Sequence, residues 1–239
     1  MAALFISDLH LSDATPHITT GLLNFLKDKA AQADQLFILG DLFEVWLGDD
    51  HITPLNTQII TALRKLTDSG VQLFIQHGNR DFMIGKHFAE LTGGMLIDDP
   101  TVIELYGTEL VLSHGDSYCT DDIKYQKAKR KIRNPIVLPI LRRLPLSTRQ
   151  KIAGNLREKS AKDKQQNTME IMDVNQSAVE QAFIDYDVKT MIHGHTHRPQ
   201  QHDHNGKTRW VLGDWGDYLW YARLDEKGVS LHQEPLKAG

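Results

Sequence analysis

The segment LFISDLHLSD, residues 4–13, carries the clearest structural signal in this sequence. Residues 2–7 form a short apolar run, which predicts a buried β-strand. Asp8 and His10 follow this run directly, and because they stand two apart on an extended segment, their side chains point to the same side. The segment therefore predicts a strand whose carboxyl end offers two ligands to one cation.

The same arrangement recurs along the chain. Apolar runs at residues 35–39, 71–75, 109–113 and 189–193 predict further strands, and a polar cluster follows each of them. These clusters read GDLFE (Asp41), GNRD (Asn79, Arg80), HGD (His114) and HGHTH (His195, His197). Because functional sites of open α/β sheets gather at the carboxyl ends of strands, we expect the five clusters to converge on one crevice.

Helical patterns separate these strands. Apolar residues recur at helical spacing around residues 22–26, over 55–66 up to Gly70, and over 169–183. Late strands are predicted over 209–213 and 221–224. This alternating order of strands and helices predicts an α/β fold in layers.

The side chains of the clusters form a ligand set of oxygen and nitrogen donors without a thiolate. Such a set suits manganese, iron or zinc. Asp41 has two carboxylate oxygens and can bridge two cations, and a pair of cations about 3.5–4 Å apart can activate water and clamp a phosphoryl group. Each cluster alone is common in turns and solvated loops; five in this order favour a functional site. The candidate ligands are Asp8, His10, Asp41, Asn79, His114, His195 and His197.

Composition narrows the class of protein. The chain has 239 residues, and we expect one domain over residues 1–239. A formal net charge of −4 argues against a protein that wraps nucleic acid. The lone Cys119 cannot form an intramolecular disulfide, and we find neither a signal peptide nor the ~20 apolar residues of a membrane span, so we expect a cytosolic protein.

A basic segment stands apart from this acidic background. Residues 124–164 hold eight lysines and six arginines against Glu158 and Asp163, and they include the apolar run IVLPILRRLPL, residues 136–146. We predict a helical lid insertion at about residues 123–166, laid over the site. Its apolar residues either hold lipid chains or pack the insertion onto the rest of the protein, and both alternatives stay open.

The five clusters resemble the calcineurin-like metallophosphoesterase superfamily, from Leu4 to about Gly213. The resemblance implies a four-layer αββα sandwich with a dinuclear metal site at the sheet edge. It places one metal on Asp8, His10, Asp41 and His197, and the other on Asp41, Asn79, His114 and His195. It also implies catalytic roles for Asp41, Asn79, Arg80 and His114.

Arg80 departs from the superfamily pattern, in which many members carry histidine after the asparagine. Arginine does not deliver a proton, but its planar fork suits phosphate oxygens. An alkoxide leaving group benefits from an acid, whereas a phosphate leaving group needs mainly charge neutralisation. Arg80 therefore favours pyrophosphate cleavage over monoester cleavage. The alternative is a structural salt bridge with a neighbour such as Asp81.

A finer resemblance rests on SDLHLS, LGDLFEVWLGDD, HGNRDF, HGDSYCTDD, IMDVNQ and IHGHTHRP. These motifs are similar to bacterial hydrolases that cleave the pyrophosphate of UDP-linked 2,3-diacylglucosamine in lipid A biosynthesis, releasing UMP and the diacylglucosamine 1-phosphate. The resemblance implies two Mn²⁺ per chain and peripheral binding to the cytoplasmic face of the bacterial inner membrane. We expect a monomer and no nucleic-acid partner.

The same resemblance implies a set of substrate contacts. Lys164 and Asn167 depart from the family pattern, although a lysine one helical turn away can serve the same purpose. Asp116 is the last residue of the HGD cluster and Asp121 follows it closely, and we assign them no role. The implied contacts are Asn79, Arg80, Asp122, Ser160, Lys164, Asn167 and His195.

Three other functions remain as alternatives. One is another metallophosphoesterase, such as a nucleotide phosphodiesterase or a phosphoprotein phosphatase. The second is a non-catalytic metal-binding scaffold, which the complete set of candidate ligands argues against. The third is a nuclease, but the basic insertion lacks the interleaved aromatic residues of a single-strand stacking platform.

Overall fold

A computed structural model of the chain describes residues 1–166, 171 and 173–236, and the side chains of residues 159–166 are outside this description. The first of its two sheets has the strand order β11-β10-β1-β2-β3-β4, and β1 to β4 run parallel. Its strands are β1 (Ala3–Ile6), β2 (Gln35–Leu39), β3 (Gln72–Gln76), β4 (Met95–Leu96), β10 (Tyr218–Asp225) and β11 (Gly228–Pro235).

The second sheet has the order β5-β6-β7-β9-β8, with β6, β7 and β9 parallel to one another. Its strands are β5 (Thr101–Leu105), β6 (Thr108–Ser113), β7 (Thr190–His193), β8 (Gln200–Asp203) and β9 (Thr208–Val211). The parallel strands of both sheets therefore bring their carboxyl ends to the same edge of the protein.

Helices cover the outer faces of both sheets. Against the first sheet pack α1 (Pro16–Asp28), α2 (Pro54–Asp68) and α3 (Lys86–Thr92), and against the second packs α7 (Gln176–Asp185). The predicted four-layer αββα sandwich is thus confirmed. Three helices occupy the basic segment: α4 (Ile123–Ile132), α5 (Val137–Arg143) and α6 (Leu146–Gln166).

Alternation of side chains along the central strands produces the layers. On β2, Phe37 and Leu39 point between the sheets, whereas Leu36 and Ile38 point towards the helices. All four are buried, because a parallel strand inside a sandwich has protein on both faces. This explains why the central strands are continuous apolar runs in the sequence.

The helix ends follow local capping signals. Helix α2 begins at Pro54 after Thr53, whose hydroxyl accepts a hydrogen bond from the Asn56 amide at 3.2 Å, and it ends before Gly70 as predicted. The predicted helix over 169–183 is wrong at 171 and 173–175, which are not helical, and its residues 169, 170 and 172 lie outside the described residues. Helix α7 begins only at Gln176, because Asn175 caps it by accepting from the Ala178 amide at 3.1 Å.

Arginines fasten the basic insertion to the loops after β2 and β3. Arg133 donates to the Gly78 carbonyl at 2.8 Å, Arg142 to the Ile84 carbonyl at 2.9 Å, and Arg149 to the Leu47 carbonyl at 2.6 Å. Much of the positive charge of this segment is therefore used inside the protein. Among the described residues, none of the helices combines the length and apolar character that a bilayer-spanning segment requires.

The apolar run of the insertion divides between two environments. Ile136, Val137 and Ile140 are exposed, with 71%, 43% and 56% of their surface accessible. Leu141 is buried, and Leu138 and Leu144 pack against the core of the first sheet. The packing alternative therefore holds for Leu138, Leu141 and Leu144, whereas the lipid-binding alternative stays a prediction.

Replacing Phe37 by alanine should lower the free energy of unfolding by about 3–5 kcal/mol. The Phe37 ring is stacked between Phe5 at 4.9 Å and Phe74 at 4.5 Å in the layer between the sheets, so truncation leaves a cavity. Urea denaturation of the metal-free protein measures the change. Val102→Ala, at an exposed position of β5, is the control and should shift stability by less than about 0.5 kcal/mol. Equal losses in the two variants would contradict the assignment of this core.

Candidate active site

The polar clusters meet at the edge where the parallel strands end. Each candidate ligand lies on a loop within four residues of the last residue of its strand. The loop after β1 carries Asp8 and His10, that after β2 Asp41, that after β3 Asn79, that after β6 His114, and that after β7 His195 and His197.

Three of these side chains form a first group. Nε2 of His197 lies 3.4 Å from Oδ1 of Asp8 and 3.4 Å from Nε2 of His10. Nε2 of His10 lies 3.8 Å from Oδ2 of Asp41. The potential ligand atoms of Asp8, His10 and His197 all lie within 4.8 Å of one another.

The remaining side chains gather on the other side of Asp41. Nε2 of His114 lies 3.8 Å from Oδ2 of Asp41 and 3.0 Å from Oδ1 of Asn79. The same Asn79 oxygen lies 2.9 Å from Nδ1 of His195. Asp8, Asp41 and His114 form a second group of atoms within 4.8 Å. Oδ2 of Asp41 thus stands between the two sets, as a bridging carboxylate requires.

The backbone is strained at most of these positions. Asp8, His10, Asp41, His195 and His197 all have positive φ, between 50° and 70°. Residues with side chains rarely adopt this conformation, and it persists only where surrounding structure enforces it. Hydrogen bonds between neighbouring loops enforce it here: the Asp8 amide donates to the Gly40 carbonyl at 3.2 Å, and the His10 amide to the Asp41 carbonyl at 3.0 Å.

Two glycines allow the loops to approach one another. A Cβ atom on Gly78 would lie 2.1 Å from Oδ1 of Asp41, and one on Gly194 would lie 2.3 Å from Oδ2 of Asp8. Both separations are far below contact distance, so any side chain at these positions would displace a carboxylate. This explains the glycines of GNRD and HGHTH.

Asp81 holds two of the loops together from beneath. Its buried carboxylate accepts hydrogen bonds from the amides of Gly78 and Leu42, both at 2.8 Å, and from Asp41 at 3.3 Å. The alternative of a salt bridge between Arg80 and Asp81 is therefore not what the structure has. The Arg80 guanidinium instead lies 4.0 Å from Glu44.

Acceptors orient the outer nitrogens of three histidines. Nδ1 of His114 donates to the Leu39 carbonyl at 2.9 Å, so that Nε2 faces Asp41. Nδ1 of His10 lies 3.2 Å from Glu44, and Nδ1 of His197 lies 3.4 Å from Asp214. Such outer partners fix the tautomer of a ligating histidine and raise its basicity.

The pKa values show that the site attracts positive charge. Burial works against charging His114 and His197, yet the carboxylates of Asp41 and Asp8 raise the pKa of His114 to about 9, and acceptors on Asp214 and Asp8 raise that of His197 to about 10. His195 is the exception, because burial and the neighbouring His114 lower its pKa to about 3. His195 is therefore neutral near pH 7, and one of its ring nitrogens carries a lone pair that could bind a cation.

These residues fit divalent cations. Oδ1 of Asp8 is buried, and the nitrogen of His197 at 3.4 Å is not in hydrogen-bond geometry with it, so a cation would compensate this oxygen better than the protein does. Four histidines, an amide oxygen and two carboxylates surround this region, and hard or borderline metals prefer such donors. The donor set thus explains an otherwise unsatisfied carboxylate.

A large cavity opens from the metal ligands under the basic insertion. Its volume is about 820 Å³, and Asp41, Asn79, Arg80 and His195 line one end. Nε of Arg80 is buried without a hydrogen-bond partner among the described residues, while its backbone amide donates to Oδ1 of Asp41 at 2.7 Å. The apolar lining of the cavity consists mainly of Trp46, Phe82, Met83, Ile132, Leu141, Ile152 and Leu156.

The other predicted substrate contacts are placed unevenly. Asp122 lines the cavity and caps α4 by accepting from the Tyr125 amide at 2.9 Å. Ser160 and Lys164 belong to α6, but their side chains are outside the description, and Asn167 lies outside the described residues altogether.

Several residues at the site were missed in the sequence. Glu44 stands inside the GDLFE cluster, yet only its contacts with His10, Arg80 and Arg157 reveal a role. Asp116 follows His114 by two residues and is completely buried. Motif spacing gave no signal for either, because their partners come from distant segments.

Comparison with known proteins agrees with this geometry. Residues 1–199 match the calcineurin-like phosphoesterase family. A UDP-2,3-diacylglucosamine hydrolase from Marinobacter nauticus is 46% identical to this chain, and the match covers 99% of both chains. A UDP-2,3-diacylglucosamine hydrolase from Ectopseudomonas mendocina is 48% identical, and the match covers 95% of this chain and 96% of that relative. An archaeal phosphodiesterase shares the fold, with a TM-score of 0.53 at 13% identity over 98% of this chain and 99% of that one.

Replacing Asp41 by asparagine should abolish stabilisation by cations. Because Oδ2 of Asp41 faces both groups of ligands, both cations should bind more weakly. A cation at 100 times its dissociation constant stabilises a folded protein by about 2.7 kcal/mol, and thermal unfolding with and without Mn²⁺ measures this gain. Asp13→Asn, on the exposed end of the loop after β1, should retain the gain in full. An unchanged response to Mn²⁺ in Asp41→Asn would exclude the bridging position.

Proposed function

Because this chain belongs to the calcineurin-like phosphoesterase family, we propose that it hydrolyses the pyrophosphate bond of UDP-2,3-diacylglucosamine. The products are UMP and 2,3-diacylglucosamine 1-phosphate, as a step of lipid A biosynthesis. The observation that carries this proposal is the cavity, in which phosphate-binding and apolar groups adjoin. Relatives with that enzyme's name, matched over nearly their full length, support it.

Seven side chains would hold two cations in the active enzyme. Asp8, His10, Asp41 and His197 would hold one, and Asp41, Asn79, His114 and His195 the other. When bound, such a pair supplies the charge that activates water and neutralises phosphoryl oxygens. We propose Mn²⁺ from the family resemblance, and oxygen and nitrogen donors without a thiolate suit it together with iron and zinc.

Arg80 gives the site its preference for a phosphoric anhydride. Its guanidinium lines the cavity beside Asn79 and His195, and its Nε is buried and unpaired among the described residues. A planar guanidinium at this position can donate two parallel hydrogen bonds to phosphate oxygens and stabilise the charge of a phosphate leaving group. A leaving phosphate needs no proton at once, so the absence of a histidine at this position costs the reaction little.

The apolar part of the cavity suits the acyl chains of the substrate. Leu141, Ile152 and Leu156 come from the insertion, and Trp46 and Phe82 come from the loops after β2 and β3. The volume of about 820 Å³ lies within the range of about 300–1,000 Å³ typical of ligand sites. We propose that α4–α6 are a lid of the same domain, one that encloses lipid chains next to the phosphates.

The outer face of the lid suits a membrane surface. Ile123, Ile136 and Ile140 are exposed among basic residues, and apolar and cationic side chains together bind anionic bilayers. We propose that the protein binds peripherally to the cytoplasmic face of the bacterial inner membrane. Each of the seven candidate ligands comes from this one chain, so we also propose that it works as a monomer.

Mn²⁺-loaded protein should convert UDP-2,3-diacylglucosamine into UMP and the sugar phosphate, identified by mass. Arg80→Ala should lower kcat by about 100-fold or more, since removing one electrostatic stabiliser of a transition state has this effect. It should keep both cations, because Arg80 is not among the ligands.

The control for this substitution is Arg64→Ala, on the exposed face of α2, which should keep full activity. Faster turnover of p-nitrophenyl phosphate than of the lipid substrate would favour a phosphomonoesterase instead. Loss of the cations in Arg80→Ala would refute the role given to this arginine.

Adjacent residues of α5 should separate chain binding from membrane binding. Leu141→Ser should raise KM for the diacylated substrate about tenfold or more, because roughly 1.5–3 kcal/mol of apolar contact in the cavity is lost. Ile140→Ser should keep KM in detergent solution but reduce sedimentation with vesicles that contain anionic phospholipid.

A deacylated UDP-glucosamine analogue provides the control for both variants, since neither should change its KM. Thermal unfolding checks that the Leu141 variant is folded. If Leu141→Ser affected both substrates equally, the acyl-chain role of the cavity would be refuted.

A further inference from the structure

Asp116 is a buried carboxylate outside the set of candidate ligands. It begins a single 3₁₀ turn, Asp116–Tyr118, two residues after His114, and its exposed fraction is 0%. Gly115 makes this possible with φ of 108°, a conformation that turns the chain back towards the lid. The carboxylate makes its side-chain contacts with α4.

One face of α4 satisfies this carboxylate. Tyr125 donates its hydroxyl to Oδ2, Lys129 lies 2.7 Å from Oδ1, and Arg133 lies 3.4 Å from Oδ2. The three residues are spaced four apart, so they form one stripe along the helix. Gln126 adds a hydrogen bond to the Asp116 carbonyl at 2.7 Å.

The same stripe reaches one candidate metal ligand and the neighbour of another. The Tyr125 ring lies nearly parallel to that of His195, with 6.1 Å between centroids and 29° between planes. Arg133 donates to the Gly78 carbonyl at 2.8 Å, next to Asn79. Each of these two side chains therefore touches Asp116 with one part and the metal-binding loops with another.

Anchoring of the lid does not by itself explain this arrangement. Arg142 and Arg149 already fasten α5 and α6 to the loops after β3 and β2. A fully buried carboxylate is costly unless its partners are well placed, and removing it leaves Lys129 and Arg133 without a counter-charge. The buried carboxylate therefore favours the one arrangement of Tyr125, Lys129 and Arg133 in which all three contact it.

We propose that Asp116 is a positioning residue for hydrolysis. By fixing the orientation of α4, Asp116 keeps Tyr125 against His195 and Arg133 against the loop of Asn79, so that both candidate ligands stay in place. The proposal rests on the proposed function for its kinetic part only. Its structural part concerns the affinity of the site for cations, and that affinity is measured without substrate.

The test compares Asp116→Asn with Asp121→Asn, an exposed carboxylate five residues on that accepts from Asn175 at 3.0 Å. Asp116→Asn should lower the affinity for Mn²⁺ by about 10- to 100-fold in calorimetric titration, the usual cost of disturbing groups behind metal ligands. With UDP-2,3-diacylglucosamine, kcat should fall by a similar factor while KM changes little. Asp121→Asn should match the unaltered protein in both measurements.

Tyr125→Phe keeps the ring on His195 and removes only the hydroxyl, so it decides the matter if Asp116→Asn fails to fold. It should lower Mn²⁺ affinity and kcat in the same direction. Unchanged affinity and kcat in the folded variants would overturn the proposal, as would a rise in KM alone, which marks α4 as a wall for substrate. If the unaltered protein binds Mn²⁺ but does not cleave the lipid, the proposed function is refuted. The role of Asp116 is then decided by the Mn²⁺ affinities of the variants alone.

Discussion

Two buried carboxylates, Asp8 and Asp41, impose the constraint on which the rest of this structure depends. They lie at the junction of the two sheets with almost no exposed surface, and they cannot stay ionised there without positive charge nearby. His10 from the Asp8 loop, and His114 and His197 from two other loops, supply it, which is why the pKa values of His114 and His197 are raised. The parallel strands serve to bring these groups to one edge, and the strained loop conformations are tolerated because the loops bond to one another.

The central layers were predictable because their strands are buried on both faces and therefore read as continuous apolar runs. Strands β5, β8 and β11 were not anticipated, since they are partly exposed and their sequences mix polar and apolar residues. The start of α7 was misplaced because apolar spacing continued upstream of the Asn175 cap, and capping is a local effect that periodicity does not report.

The site divides in a similar way. The candidate ligands were predictable because each follows a strand, and strand ends converge in this class of fold. Glu44 and Asp116 were not, because a carboxylate acquires its role from partners such as Arg157 and Lys129 that only folding brings near. The division of the lid's apolar residues was hidden for another reason. Ile140 and Leu141 are adjacent on α5, yet the first is exposed and the second is buried. Because α5 has only about two turns, its sequence is too short to show the helical period that would separate the two faces.

The anchoring of the lid by arginines has a thermodynamic consequence. Arg133 and Arg149 bond to the carbonyls of Gly78 and Leu47, on the same two loops that present Asn79 and Asp41. A ligand that fixes the conformation of these loops therefore also fixes the position of α4 and α6, which are bonded to them. By reciprocity of linked equilibria, any ligand that stabilises this arrangement of α4–α6 must raise the affinity for the cations by the same factor by which the cations raise the affinity for that ligand.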